Sequence, residues 1–154
     1  MHKHKVHINA FGEWDTYFPP ETKAALKTAL SATKDYKNFQ LTFLLAYNGT
    51  NEMVRAVQGI VADTVGIGRD LSLQNGKPKI TPETIKQHLY TKDLPPVDLI
   101  IRTGNDPHLS TGFMMWDAAE AQLMFSPKMW PDFNENELEK ALKAYGAAER
   151  RQGR

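Results

Sequence analysis

Two short, nearly unbroken apolar runs constrain this 154-residue chain more than any other feature in it. They are Gln40-Leu41-Thr42-Phe43-Leu44-Leu45-Ala46-Tyr47 and Val97-Asp98-Leu99-Ile100-Ile101. Each has the length of a strand, and neither alternates cleanly enough to offer one face to water. Strands covered on both faces belong to parallel sheets, because crossover helices then lie over both sides. The rest of the chain supplies such helices. Pro19-Pro20-Glu21 opens a stretch with Ala24, Ala25, Leu26, Ala29 and Leu30 at helical spacing, and prolines with an acid suit a first helical turn. After a turn at Asn48-Gly49-Thr50, residues 51–65 predict a helix with Met53, Val54, Val57, Ile60 and Val61 on one face. Thr81-Pro82-Glu83 predicts another, running to about Tyr90, since a capping hydroxyl precedes the proline. Residues 6–11 alternate as a first strand and Gln122-Leu123-Met124-Phe125 reads as a last one, with helices expected over 113–121 and 135–151. Residues 66–79, glycine-rich and containing Asn75-Gly76, read as a loop. The order predicts an α/β fold, one domain over residues 1–154 with a mainly parallel sheet covered by helices.

Composition closes off several alternatives. No apolar run approaches the ~20 residues of a membrane span, and the basic start Met1-His2-Lys3-His4-Lys5 is not followed by the apolar stretch of a secretory signal. With no cysteine there is neither disulfide nor thiolate metal site, which fits a reducing compartment. A net charge of +1 without a basic stripe argues against nucleic acid as a partner. No glycine-rich phosphate loop is present, which disfavours a nucleotide binder.

In open α/β sheets ligands sit beyond the carboxyl ends of strands, so the chemistry is expected after Ile101. There the sequence reads Arg102-Thr103-Gly104-Asn105-Asp106-Pro107-His108-Leu109-Ser110-Thr111-Gly112-Phe113. An arginine fork, several hydroxyls and the N-terminus of the helix expected next all suit a diphosphate. An arginine that merely pairs with a carboxylate in an ordinary turn would give the same spacing.

Family resemblance favours the first. Asp98-Leu99-Ile100-Ile101-Arg102-Thr103-Gly104 resembles the first half of the cis-prenyltransferase motif D-L-L-I-R-T-G-G-E-x-R-L-S-N-F-L-L-W. Trp116, Ala121, Leu123, Phe125 and Trp130-Pro131-Asp132-Phe133 are similar to its W…A-E-L-Y-F…W-P-D-F block. Tyr47-Asn48-Gly49-Thr50-Asn51-Glu52-Met53-Val54-Arg55-Ala56 resembles N-Y-G-G-R-D-E-I-V-R-A, and His88-Leu89-Tyr90 with Leu94-Pro95 resembles Y-L-Y-T-x-x-L-P. Glu149-Arg150-Arg151-Gln152-Gly153 is similar to the closing R-E-R-R-F-G-G. The blocks fall in the family's order over nearly the whole chain.

The resemblance implies an enzyme that condenses isopentenyl diphosphate with an allylic diphosphate. It implies diphosphate contacts at Arg102, at His108 and Ser110 in place of the R-L-S pair, and at Arg151 and Gly153 in the tail motif R-x-G, which reaches a partner's active site. Counting back from Trp116 instead makes the pair Leu109 and Thr111. Mg²⁺ is implied as cofactor, held by the aspartate of an N-terminal M-D-G-N motif and assisted by a glutamate whose position is Gln122 here. No M-D-G-N, R-W-A or F-S-x-E-N-W occurs in this sequence, which therefore corresponds to the C-terminal two thirds of the family pattern. Trp116, Trp130, Met114, Met115 and Phe133 are expected in core and dimer packing. Two functional expectations result. One is a subunit that binds isoprenoid diphosphates, as a homodimer or with a cis-prenyltransferase catalytic subunit, in the cytoplasm or at a membrane surface through its lipid product. The other is a degenerate, non-catalytic member that supports or regulates a complete prenyltransferase.

Overall fold

The structure, a computed structural model, describes residues 1–66, 73–74, 77–78 and 80–148. It divides into two compact units, Met1–Asp93 and Leu94–Arg154. In the first, strands β1 (Val6–Phe11) and β2 (Phe39–Leu44) pair in parallel, with Val6 opposite Phe39 and Phe11 opposite Leu44. A parallel pair needs a crossover, here helix α1 (Trp14–Tyr17) and helix α2 (Pro20–Thr33), and α2 packs on β1. Gly12 lets the chain leave β1 at φ 106°, and a Cβ there would lie 2.2 Å from the Leu45 carbonyl oxygen. The principal helical contact on this pair is that of α2 on β1. Phe39 and Phe43 stay exposed, so the cover expected on both faces of β2 is not seen there.

Helix α3 (Gly49–Gly66) starts one residue after Asn48, whose carboxamide oxygen accepts from the Thr50 and Asn51 N–H groups at 2.9 and 3.2 Å. The helix buries Glu52, Ala56 and Ile60, four residues apart, while Val54, Val57 and Val61 are more than half exposed. The single apolar face expected from spacing is therefore split. What draws Glu52 inward is hydrogen bonding: its carboxylate accepts from the Tyr47 hydroxyl at 2.6 Å and the Tyr90 N–H at 2.8 Å, so its burial is compensated.

Where a loop was expected, strands β3 (Leu73–Gln74) and β4 (Lys77–Pro78) form a short antiparallel ladder with Leu73 opposite Pro78. Residues 67–72, 75–76 and 79 of that stretch lie outside the described residues. Helix α4 (Pro82–Lys86) begins in a capping box between Thr81 and Thr84. It stops short of Tyr90 because the His88 and Leu89 N–H groups bond three residues back, to Ile85 and Lys86, tightening the chain into turns.

The second unit pairs β5 (Leu99–Arg102) with β6 (Gln122–Phe125), again in parallel, Leu99 opposite Gln122 and Arg102 opposite Phe125. Its crossover, residues 103–121, does not contain the helix expected over 113–121. A single 3₁₀ turn at Ser110–Gly112 gives way to irregular turns. Thr111, Gly112 and Met114 take φ values of 55°, 60° and 45°, and left-handed residues cannot continue a right-handed helix. Helix α5 (Glu135–Ala147) is capped by Asn134, whose side-chain oxygen accepts from the Asn136 and Glu137 N–H groups. Residues 149–154, including the expected end of this helix, lie outside the described residues. Trp130 is 75% exposed and stacks on Phe133 with ring centroids 6.3 Å apart, so it is not a core residue of its unit. Among the described residues no helix is long and apolar enough to cross a membrane.

Candidate functional site

Arg102 is the last residue of β5, and the ladder fixes its backbone: its carbonyl accepts from the Ser126 N–H at 2.7 Å. The chain then turns through Gly104 at φ 98° and Asn105 at φ 56°. Their N–H groups bond to the Lys128 and Ser126 carbonyls at 2.7 and 3.2 Å. Two consecutive left-handed residues, one of them glycine and the other asparagine, are what lets the loop double back beside the arginine. The segment following β6 thus acts as a rail for the first half of the loop.

The guanidinium meets that returning loop. Its Nε donates to the Asp106 carbonyl at 2.9 Å, its Nη2 to the Asp106 carboxylate at 2.9 Å and its Nη1 to the Ser110 hydroxyl at 3.0 Å. The second carboxylate oxygen of Asp106 bonds the His108 ring Nδ1. Arg102 and His108 therefore meet at a shared hub, Asp106, and Ser110 joins the network through Arg102. The His108 bond and then the Arg102 bond hold the Asp106 carboxyl below the ordinary aspartate range, so near neutral pH the hub is an anion. Asp106, His108 and Ser110 are exposed, while Arg102 is half-buried.

Sequence reasoning placed Arg102, His108 and Ser110 in the site and the structure brings these three together. Leu109 is half-buried between them, and Thr111 is exposed with left-handed backbone. The helix N-terminus expected to face the ligand is absent, because the chain after Gly112 does not form a helix. Arg151 and Gly153 lie outside the described residues. Asp106 was not singled out as a site residue. The available signal was an acid four residues after the arginine and two before the histidine, inside a loop expected to bind an anion.

Gln122 opens β6 opposite Leu99, and its N–H donates to the Asp98 carbonyl at 3.0 Å. Its half-buried side chain is an uncharged amide. Among the described residues no three of His, Cys, Asp or Glu converge as metal ligands. Mg²⁺ needs only one or two carboxylates where substrate phosphates supply its other ligands, and the amide of Gln122 is not one of them.

Comparisons with known proteins come to one family. A family model described as "Putative undecaprenyl diphosphate synthase" matches residues 1–153. An isoprenyl transferase of Deinococcus radiodurans is 33% identical over 154 residues, covering 100% of this chain and 55% of the relative. The chain thus spans about half the length of the curated relatives it matches. Among solved structures, lavandulyl diphosphate synthase of Lavandula x intermedia, in complex with dimethylallyl diphosphate, superposes with a TM-score of 0.81. It is 27% identical, with 94% of this chain and 59% of that chain covered. A probable undecaprenyl diphosphate synthase of Campylobacter jejuni gives a TM-score of 0.80 at 21% identity, covering 100% of this chain and 66% of that one, and shows the same α/β fold.

Proposed function

The chain belongs to the undecaprenyl diphosphate synthase family of prenyltransferases, and we propose that its Arg102 loop binds the diphosphate of an isoprenoid unit, isopentenyl or allylic, in chain elongation carried out with a partner prenyltransferase subunit. One observation carries the reading: the Arg102 fork, the His108 ring and the Ser110 hydroxyl converge at the carboxyl end of a parallel strand. Arginine presents planar paired donors to phosphoryl oxygens, and a hydroxyl beside it adds one more. Each charge-assisted bond contributes about 1.5–3 kcal/mol. The chain's own part in the reaction is to grip and orient the diphosphate. In the proposed assembly Arg151 and Gly153 reach the partner's site, and the acidic ligands of Mg²⁺ come from the partner.

Apolar surface supports the partner. Phe39, Phe43, Val54, Val57 and Val61 in the first unit, and Leu123, Phe125 and Trp130 in the second, are large apolar side chains left exposed. In the proposed assembly the partner would cover side chains of this kind. The second reading, a non-catalytic member that supports a complete prenyltransferase, is favoured by the amide at Gln122.

Equilibrium dialysis with labelled isopentenyl diphosphate tests the binding, and label incorporation with farnesyl diphosphate and Mg²⁺ tests the chemistry. We expect Arg102→Ala to weaken binding by about tenfold or more, as loss of a charge-assisted bond requires. Longer prenyl products are expected with a partner and not with the chain alone. Products from the chain alone would remove the partner from the reading. Binding that ignores Arg102→Ala would sink the reading itself, and binding without products in any combination would favour the non-catalytic one.

A further inference from the structure

We propose that Asp106 is a built-in competitor for the diphosphate, its carboxylate holding the Arg102 and His108 donors that the ligand must take over. The inference rests on the reading of this loop as a diphosphate site and concerns how that site is gated. The geometry is that of a ligand mimic. A guanidinium has five N–H donors in two usable edges. One edge, Nε with Nη2, is spent on the Asp106 carbonyl and carboxylate, each at 2.9 Å. The remaining Nη1 is turned to Ser110 at 3.0 Å. The other carboxylate oxygen takes the His108 ring nitrogen. One planar anion thus bridges two of the three groups assigned to the ligand, Arg102 and His108, while Ser110 is held by Arg102 itself.

Sharing is unfavourable. An ionised carboxylate only accepts hydrogen bonds, so it has nothing to donate to phosphoryl oxygens. Two anions placed within about 4 Å also repel strongly wherever water is partly excluded, and Arg102 is half-buried. Removal of the competitor is mechanically simple. The rail formed by the bonds to Ser126 and Lys128 reaches as far as Asn105. Asp106 is the first residue beyond the rail and is exposed. Its side chain can rotate away while β5, β6 and the left-handed pair stay in place.

A different role is a residue that merely keeps Arg102 and His108 pointed correctly, and the two roles differ in sign. A competitor removed improves binding, whereas a positioning residue removed weakens it. Isothermal titration of the full chain with inorganic pyrophosphate and with isopentenyl diphosphate, without divalent metal, reads that sign. Asp106→Asn keeps the shape and removes the charge, and we expect it to tighten both ligands by about tenfold, about 1.4 kcal/mol. Arg102→Ala in either background is expected to lose that binding. Unchanged or weaker binding by Asp106→Asn, with Arg102→Ala still losing it, overturns the competitor and leaves the diphosphate site standing. Binding indifferent to Arg102→Ala, or absent in the wild type and in Asp106→Asn alike, overturns both. If circular dichroism shows Asp106→Asn to be misfolded, Asp106→Ser is read by the same criteria.

Discussion

Thr33 joins a helix to a strand through one oxygen atom. Its hydroxyl accepts from the Ile8 N–H at 3.1 Å and donates to the Ala29 carbonyl at 2.9 Å, and at 2% exposure neither bond can be exchanged for water. Glu52 does similar work with a charge, joining the Tyr47 hydroxyl to the Tyr90 N–H. Glu137 is the titrating case. The Lys140 ammonium, the Lys128 charge and the Ser126 hydroxyl together hold its carboxyl below the ordinary glutamate range. A carboxyl depressed by folding contributes stability above its unfolded value, about 4.3, and loses it as pH falls through the lower folded value. Glu137→Gln should therefore melt slightly below the wild type at pH 7, and the two melting curves should converge near pH 3. A gap that persists at pH 3 would mean that packing and not charge is responsible. Single residues were legible in the sequence where local pattern places them, as with Arg102 at the end of its strand. They were not where a partner decides the role: nothing in the order of residues says that Asp106 folds back on Arg102, or that Glu52 finds two donors, one of them 38 positions away.

Elements were legible where local signals and tertiary packing agree. The proline-led start of α2 and the capping threonine of α4 lie where the sequence put them. The start of α3 was misjudged by two residues, because Asn48 read as part of a turn is its cap. The stretch 113–121 misled more fully. Its composition suits a helix, but Met114 is held left-handed and the Asp117 carbonyl accepts from the Val97 N–H, outside the segment. Tertiary bonds of that kind override propensity. The caps are the testable part at this scale. Asn48→Ala and Asn134→Ala each remove a side-chain oxygen that satisfies two helix-start N–H groups. Each should lower unfolding free energy by about 1 kcal/mol in urea titrations. A value near zero for Asn48→Ala would show that its two bonds are exchanged for water without cost.

For the molecule as a whole, the sequence disclosed the α/β class and the parallel pairing, because unbroken apolar runs separated by helices admit few other solutions. It did not disclose which apolar residues stay exposed, since burial depends on what covers a face and periodicity does not carry that. Both parallel pairs are closed by long connections, residues 12–38 between β1 and β2 and residues 103–121 between β5 and β6. The second connection is also the loop of Arg102, His108 and Ser110. The proposed grip on a diphosphate would therefore exist only while β5 and β6 are zipped together, and a bound diphosphate would act as a clasp on that zipper. At a ligand concentration a hundred times Kd the clasp adds about 2.7 kcal/mol to the free energy of opening. Amide deuterium exchange along Gln122–Phe125 should then slow by about a hundredfold on adding isopentenyl diphosphate, and not at all in Arg102→Ala. A strand that the diphosphate need never touch would report its arrival.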